Sequence, residues 1–242
     1  MIPPPPPKQE GPGLIEDLVD IFAAPAKVFA RRAKAGGGLA FLFVTLVLGA
    51  VQYSGKNVME PIIDAQIRKG IETAKQRNPG VTDEQLQAAV PMQRKVATVM
   101  TIAGIPIALL VVGLLVWVVG KIFGASVTYG SSLMIASFAW VPRIIGGVLV
   151  DVQGLLMDDV SKLVNMSQLS IGPARFLDPV TANPFVLAAL LRVDLFTLWS
   201  TVLIGVAYLA AGKVSKEKAI MAAATVWLVP TILALVGAIF QR

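Results

Sequence analysis

The chain contains no cysteine and no histidine. This absence excludes disulfides, thiol nucleophiles, imidazole bases and the usual zinc or haem ligands. The remaining residues form no phosphate-binding loop and no dinucleotide fingerprint. The adjacent acids Asp158 and Asp159 have no base or metal partner at a suitable spacing. We therefore predict a protein that is not an enzyme and that has no catalytic residues, no metal site, no cofactor and no nucleic-acid partner.

Charged residues are also scarce: they make up 15% of the chain, whereas an ordinary soluble domain has roughly 25%. Several uncharged stretches approach the roughly 20 residues that cross about 30 Å of hydrocarbon. The sequence therefore predicts an all-α integral membrane protein, a compact bundle of five transmembrane helices. The predicted membrane domain covers 36–241, with spans at about 36–54, 96–120, 123–150, 193–212 and 219–240 and an extramembrane loop at 55–95.

Residues 1–13, "MIPPPPPKQEGPG", have no apolar core and so do not resemble a secretory signal. The first span is expected to act as its own insertion signal. The proline-rich composition favours a disordered, extended leader in the polyproline-II conformation. A ligand for an SH3-like groove is the alternative interpretation of the same segment.

Residues 14–35 have the pattern of an amphipathic helix, since apolar residues recur every three or four positions. Acidic residues lie in its first half. A basic cluster of Lys27, Arg31, Arg32 and Lys34 lies in its second half, next to the first span. One interpretation places this helix in the membrane interface with the basic cluster over anionic headgroups. The other packs it against the ends of the bundle's own helices. In both, Pro25 is expected to kink the helix.

The loop at 55–95 is polar and is expected to form a helical hairpin outside the membrane. "NPG" at 78–80 breaks the chain, and "TDEQ" at 82–85 has the form of a capping box. Further along, Asn183 and Pro184 are typical of a helix start. The fourth helix is therefore expected to begin well before its purely apolar part.

The third predicted span carries a proline and an arginine side by side, Pro142 and Arg143. In one interpretation the span ends near Pro142, Arg143 lies at the interface, and the chain continues as a re-entrant segment. In the other the helix continues, and Arg143 faces the bundle interior and pairs with Asp194 or Asp151, because a charge inside the bilayer needs a partner. Prolines are expected to kink other spans too, at Pro106 and Pro230.

Five spans place the termini on opposite sides of the membrane. The leader's basic residues border the first span, and Lys121, Lys213, Lys216 and Lys218 lie in short loops on the same side. Because basic residues in short loops favour the cytoplasm, we predict a cytoplasmic N-terminus and an exoplasmic C-terminus.

Three segments together are similar to a known family. They are "DIFAAPAKVF" before the first span, "YGSSLMIASFAWVPRIIGGVL" in the third, and "RVDLFTLWSTVLIGVAYLAAGKVSKEKAIMAAATVW" across the last two. The chain resembles the Yip family of Ypt/Rab-interacting membrane proteins, specifically its bacterial branch, over about 14–240. The positions that match the family pattern are Pro25, Tyr129, Trp140, Pro142, Asp194, Phe196, Trp199, Ser215 and Lys218.

The resemblance implies a five-span protein of the bacterial inner membrane with a cytoplasmic N-terminus. It also implies that eukaryotic relatives bind prenylated Rab GTPases in vesicle traffic, a role that does not transfer to bacteria. The leading hypothesis is an adaptor or organiser that binds anionic lipid or a membrane or membrane-associated protein and that shapes or organises the membrane, either alone or as a homo-oligomer. The alternative is a transporter, channel or lipid-translocating subunit that uses the polar groups around Arg143 and Asp194.

Overall fold

The computed structural model describes residues 13–34 and 36–239, and the regular structure of these residues is entirely helical. The predicted leader lies outside the described residues except for Gly13. Three short 3-10 turns lie between α7 and α8, at Val160–Lys162, Met166–Leu169 and Pro173–Phe176. The α-helices are α1 Leu14–Ala23, α2 Pro25–Arg32, α3 Gly38–Ser54, α4 Lys56–Arg77, α5 Asp83–Ile122, α6 Tyr129–Ala139, α7 Val141–Leu155, α8 Pro184–Leu191, α9 Leu195–Ala210 and α10 Lys216–Ile239.

Long apolar helices make the chain an integral membrane protein. Three helical segments of the described residues are long and apolar enough to cross a membrane. They are α5 at Asp83–Ile122, α6 and α7 taken together at Tyr129–Leu155, and α10 at Lys216–Ile239. The number rises to 5 if two bent pairs each count as one span. The bend between α3 and α4 is 77°, and the bend between α8 and α9 is 51°. The prediction of a multi-pass helical membrane protein is confirmed.

The central helix is α6. Every residue from Ser131 to Ala139 is buried, as expected for a helix enclosed on all sides. Helices α3, α5 and α9 pack around it. The chain approaches it most closely at Gly37, where an added Cβ would lie 2.5 Å from the Gly130 carbonyl oxygen and 2.6 Å from the Met134 nitrogen. Only glycine fits at that contact.

The two ends of the bundle are distinguished by their connecting loops. At what we call the near end, the α5–α6 loop meets the α9–α10 loop, and the Ser126 amide donates to the Gly212 carbonyl at 3.0 Å. Gly37, at the start of α3, lies at this end as well. At the far end, the hydroxyl of Ser54 in α3 donates to a carboxylate oxygen of Asp151 in α7 at 2.8 Å.

Helix α4 and the first half of α5 pack together as a hairpin. The predicted capping box is present: the Thr82 hydroxyl accepts from the Gln85 amide at 3.3 Å, and the Gln85 side chain accepts from the Thr82 amide at 3.2 Å. Arg94 of α5 pairs with Asp64 of α4 at 2.7 Å. Helix α5 then continues without a break for 40 residues. The sequence predicts an extramembrane loop that ends at 95 and a second span that begins at 96. In the structure no helix ends there, because α5 passes through both positions.

The three prolines that were predicted to break or kink spans do not all interrupt a helix. Helix α6 ends at Ala139 and α7 begins at Val141, so the regular helix is interrupted just before Pro142, while Tyr129–Leu155 together form one candidate span. Helices α5 and α10 run through Pro106 and Pro230, because a helix in an apolar environment retains its other backbone hydrogen bonds where no water competes for them.

The predicted fourth helix is two helices. The Asn183 side chain accepts from the Phe185 amide at 2.9 Å and caps α8, as expected. A second helix, α9, starts where the Asp194 side chain accepts from the Phe196 amide at 3.0 Å. Because Asp194 is an N-cap with an extended backbone, the helix cannot pass through it. The single fourth helix is therefore corrected to a bent pair.

Candidate functional site: an N-terminal hairpin and a cavity around Arg143

The N-terminal segment consists of two helices. Helix α1 ends at Ala23 and α2 begins at Pro25, with Ala24 in a non-helical conformation between them, because a proline disfavours the helical conformation at the preceding residue. The two helices pack against each other. We call residues 14–32 the N-terminal hairpin. It replaces the single amphipathic helix predicted over 14–35.

Charged side chains join the two arms of the hairpin. Asp17 has 0% exposure and accepts from Nε of Arg31 and Nε of Arg32, both at 2.5 Å. Asp20 accepts from Nη2 of Arg31 at 2.7 Å. Burial lowers the pKa of Arg31, but its hydrogen bonds to Asp20 and Asp17 outweigh that effect and raise the pKa. We call these four residues, two acidic and two basic, the base cluster, because they lie at the base of the hairpin, which is its open end.

The inner face of the hairpin belongs to the main hydrophobic core. Ile21, Val28 and Phe29 have no exposed surface and lie in the same core cluster as α3, α5, α6, α9 and α10. Helix α2 packs along α9 and also touches α6. The N-terminal segment therefore packs against the bundle, which is the second of the two interpretations of its pattern.

The tip of the hairpin reaches well into the bundle. The Phe22 ring meets the Trp199 ring edge-on, with centroids 5.4 Å apart. Trp199 precedes Ala210, the near-end residue of α9, by 11 residues, which corresponds to about 16 Å of helix. Half of a bilayer's hydrocarbon is about 15 Å thick. The hairpin thus extends from the near end about as far as one leaflet is deep.

The outer face of α1 carries an apolar stripe that the described chain leaves largely exposed. Ile15, Val19 and Phe22 are 74%, 67% and 38% exposed. They recur at intervals of four and three, so they form one helical face. We call these three residues the exposed stripe. In a membrane protein such a face is suited to contact with lipid chains.

The predicted basic cluster is divided by the fold. Arg31 and Arg32 are directed at the acids of α1. Lys27 and Lys34 are exposed. Two of the four side chains therefore form ion pairs within the protein. Lys34 remains at the surface at the near end, whereas Lys27 is exposed in the first turn of α2, close to the tip of the hairpin.

A cavity of about 350 Å³ lies between α3, α7 and α9 toward the far end. Its walls are mainly apolar, with contributions from Leu48, Val51, Ile105 and Phe196. Its polar lining is small and consists of Gln52, Arg143, Asp151, Ser170, Asp194 and Thr197. We call it the Arg143 cavity.

Arg143 has few partners in this cavity. Its guanidinium lies over the Trp140 ring at 4.7 Å from the centroid. One terminal nitrogen donates to the Thr197 hydroxyl at 3.4 Å, a long hydrogen bond. Its Nε is buried and has no hydrogen-bond partner among the described residues.

The predicted ion pair of Arg143 with Asp194 or Asp151 is not formed. Across residues 13–34 and 36–239, no carboxylate oxygen lies within 4.0 Å of the Arg143 guanidinium. Both oxygens of Asp194 serve the backbone, accepting from the Phe196 amide and from the Ile171 amide at 3.1 Å. Asp151 is held by Ser54 instead. The two carboxylates that were predicted to pair with Arg143 are therefore engaged by other groups. Asp194 caps α9 and holds the preceding loop, and Asp151 binds Ser54.

A protein-family model matches most of the residues that form these helices. The model of the Yip1 domain matches residues 19–238, from within α1 to the end of α10. The chain belongs to the Yip1 domain family. Comparisons with curated proteins and with solved structures give no significant match.

The family-pattern positions of this Yip1 domain lie at helix starts and breaks. Pro25 begins α2, Tyr129 begins α6, and Trp140 and Pro142 lie at the α6–α7 break. The remaining positions mark the last two helices: Asp194 caps α9, Phe196 packs against Gly146, Trp199 contacts Phe22, and the Ser215 hydroxyl accepts from the Lys218 amide at the start of α10.

Some residues of these sites were not identified from the sequence. The amphipathic pattern does not distinguish Asp17, the buried centre of the base cluster, from the exposed acid beside it. The pattern also does not identify Ile15 and Val19 as part of an apolar face. The available signal was symmetry: acids precede Pro25 by about the same distance at which arginines follow it. Such a mirror arrangement around a helix break is typical of an antiparallel pair.

Proposed function

We propose that this Yip1-domain protein is a non-enzymatic organiser of the membrane. In this proposal the N-terminal hairpin lies in one leaflet, with the exposed stripe against lipid chains. Because the hairpin displaces lipid from that leaflet only, it favours curvature of the bilayer. The near end, with Lys34, binds anionic headgroups and a protein partner in the membrane.

The exposed stripe is the observation that carries the proposal. Burying an apolar side chain such as Ile or Val stabilises by about 1.5–3 kcal/mol relative to leaving it in water. The stripe gains that stabilisation from lipid, because the hairpin's other face is already occupied by the core. A helix pair that has an apolar stripe on its outer face and is about one leaflet long is suited to insertion from one side.

For the membrane topology we propose five spans, with each bent pair counted as one. The N-terminus is placed in the cytoplasm and the C-terminus outside, in a bacterial inner membrane. The hairpin then lies in the cytoplasmic leaflet, where anionic lipids attract nearby lysines. Association of two or more copies is compatible with this arrangement.

Vesicle remodelling tests the proposal. The protein is reconstituted into vesicles of phosphatidylethanolamine and phosphatidylglycerol, and vesicle diameters are measured by electron cryomicroscopy. We expect the wild-type protein to shift the distribution toward smaller vesicles or tubules. Ile15→Ser combined with Val19→Ser is expected to abolish the shift, since polar groups weaken insertion of the stripe.

The chain offers a matched control. Ile107 and Val111 have the same residue types at the same spacing, are 54% and 58% exposed, and lie on the spanning helix α5. Ile107→Ser with Val111→Ser should remodel vesicles as the wild type does. Equal remodelling by both double variants, at equal reconstitution, would overturn the proposal. Deletion of 1–35 is a poorer test, because it removes Ile21, Val28 and Phe29 from the core.

The Arg143 cavity favours a second candidate function, a transporter, channel or lipid-translocating subunit. A cavity in the membrane with an ionisable side chain is the arrangement that such proteins use. This candidate predicts a flux of ions or labelled lipid across reconstituted vesicles that Arg143→Ala removes. A flux that is the same in both proteins, or no flux above that of protein-free vesicles, would exclude it.

A further inference from the structure

We infer that the Arg143 cavity is a binding site for the phosphate group of a phospholipid. This inference is independent of the proposed function of the hairpin, which lies in the other half of the bundle. It requires a phospholipid that stays bound, whereas the second candidate function requires an ion or a lipid that crosses the membrane. Three features of the cavity carry it: an uncompensated cation, free donors in a fixed plane, and apolar walls.

The first feature is the uncompensated charge. A cation away from water is stable only when it is paired or hydrogen-bonded. Arg143 has one long hydrogen bond, to Thr197, and no carboxylate oxygen of the described residues lies within 4.0 Å of its guanidinium. The Asp194 oxygens are already used by backbone amides and by the Ser170 hydroxyl at 3.3 Å. An anion from outside the chain would supply the missing partner.

The second feature is the geometry of the donors. Contact with the Trp140 ring holds the guanidinium in place, and the buried Nε has no acceptor. A guanidinium offers its donors as a planar fork that fits two oxygens of a phosphate. Because Thr197 uses only one terminal nitrogen, donors remain for such a pair of bonds.

The third feature is the apolar lining. Pockets between transmembrane helices that combine a basic group with apolar walls are suited to lipid headgroups. The volume of about 350 Å³ is at the lower end of the range for small-molecule sites. It suits a headgroup with the first part of its chains, while the rest of the chains extend into the bilayer. A soluble phosphate ester would leave the walls formed by Leu48, Val51 and Ile105 without a partner.

Lipid retention on the wild-type protein tests the inference without any substitution. Delipidated protein in mild detergent is titrated with dioleoyl phosphatidylglycerol, with dioleoylglycerol, which lacks the phosphate, and with glycerol phosphate, which lacks the chains. Binding is followed by native mass spectrometry and by the rise in melting temperature. We expect tight binding of the phospholipid only. Equal binding of dioleoylglycerol would overturn the inference, and glycerol phosphate binding as tightly as the phospholipid would overturn a lipid as the source of the phosphate.

Arg143→Met then tests the residue. It removes a cation that has no ion-pair partner and keeps an unbranched side chain of apolar character, so the lipid-free variant is expected to fold. We expect phospholipid binding to weaken by roughly tenfold or more. Arg143→Lys should retain part of the affinity, because the charge remains. Arg175→Met, at an exposed arginine outside the cavity, should bind like the wild type. Unchanged binding by Arg143→Met would overturn the inference.

Discussion

At the scale of single residues, the fold depends on which hydrogen-bond donors each acidic side chain contacts. Asp17 and Asp194 are both used structurally, one in the base cluster and one as the cap of α9. Arg143 is the converse case, a cation whose expected acids are engaged elsewhere. Residue type and spacing identified Arg143 and Asp194 as important, but not their partners, because those partners come from distant parts of the chain.

Asp17→Asn is expected to destabilise the protein. It leaves Arg31 and Arg32 of α2 without the buried carboxylate of α1 that both contact. Since both arginine side chains are partly exposed, the loss should be about 2 kcal/mol, below that of a fully buried pair. Thermal unfolding in detergent measures it.

The control for this prediction is Glu16→Gln, which removes the neighbouring exposed acid and should change the melting temperature little. If Asp17→Asn and Glu16→Gln unfold at the same temperature, the base cluster does not stabilise the hairpin.

At the scale of elements, close approaches of backbone decide which substitutions the bundle tolerates. Three consecutive glycines, 36–38, precede and begin α3. An added Cβ at Gly37 meets backbone atoms of α6, while nothing lies within 4 Å of one at Gly36 or Gly38. Gly37→Ala should therefore destabilise by about 1–3 kcal/mol, since it forces α3 away from the central helix.

Gly38→Ala is the matched comparison for that prediction. It adds the same methyl group one residue further on, at the first residue of α3, where alanine favours the helix by at most about 0.5–1 kcal/mol. The two variants are expected to shift the melting temperature in opposite directions. A shift of the same sign and size would show that α3 and α6 do not approach each other as described.

Many helix ends could be predicted from the sequence and some could not. The starts at Thr82 and Asn183 and the break at Pro142 follow from local chemistry, a cap or a proline within a few residues. The break before α9 was missed because Asp194 was read as a partner for Arg143 and not as a cap. The continuity of α5 was missed because its composition changes from polar to apolar while its backbone does not.

At the scale of the whole molecule, the two halves of the bundle differ. The near half carries the N-terminal hairpin and the far half carries the Arg143 cavity. Hydropathy was sufficient to predict a multi-pass helical protein, because apolar length alone indicates it. It could not predict the hairpin, since an apolar face reads the same whether it contacts lipid or protein.

The depth of the exposed stripe is the measurement that tests the account most directly. Because the chain has no cysteine, single cysteines can be introduced and spin-labelled without first removing native ones. The labels are placed by Val19→Cys on the stripe, Ile107→Cys on a spanning helix and Lys34→Cys at the near end. Collisions with oxygen, which enters lipid, are compared with collisions with a nickel chelate, which stays in water. We predict that the Val19 label behaves like the Ile107 label, accessible to oxygen and protected from nickel. A Val19 label that behaves like the Lys34 label, open to nickel, would contradict a hairpin inserted in one leaflet.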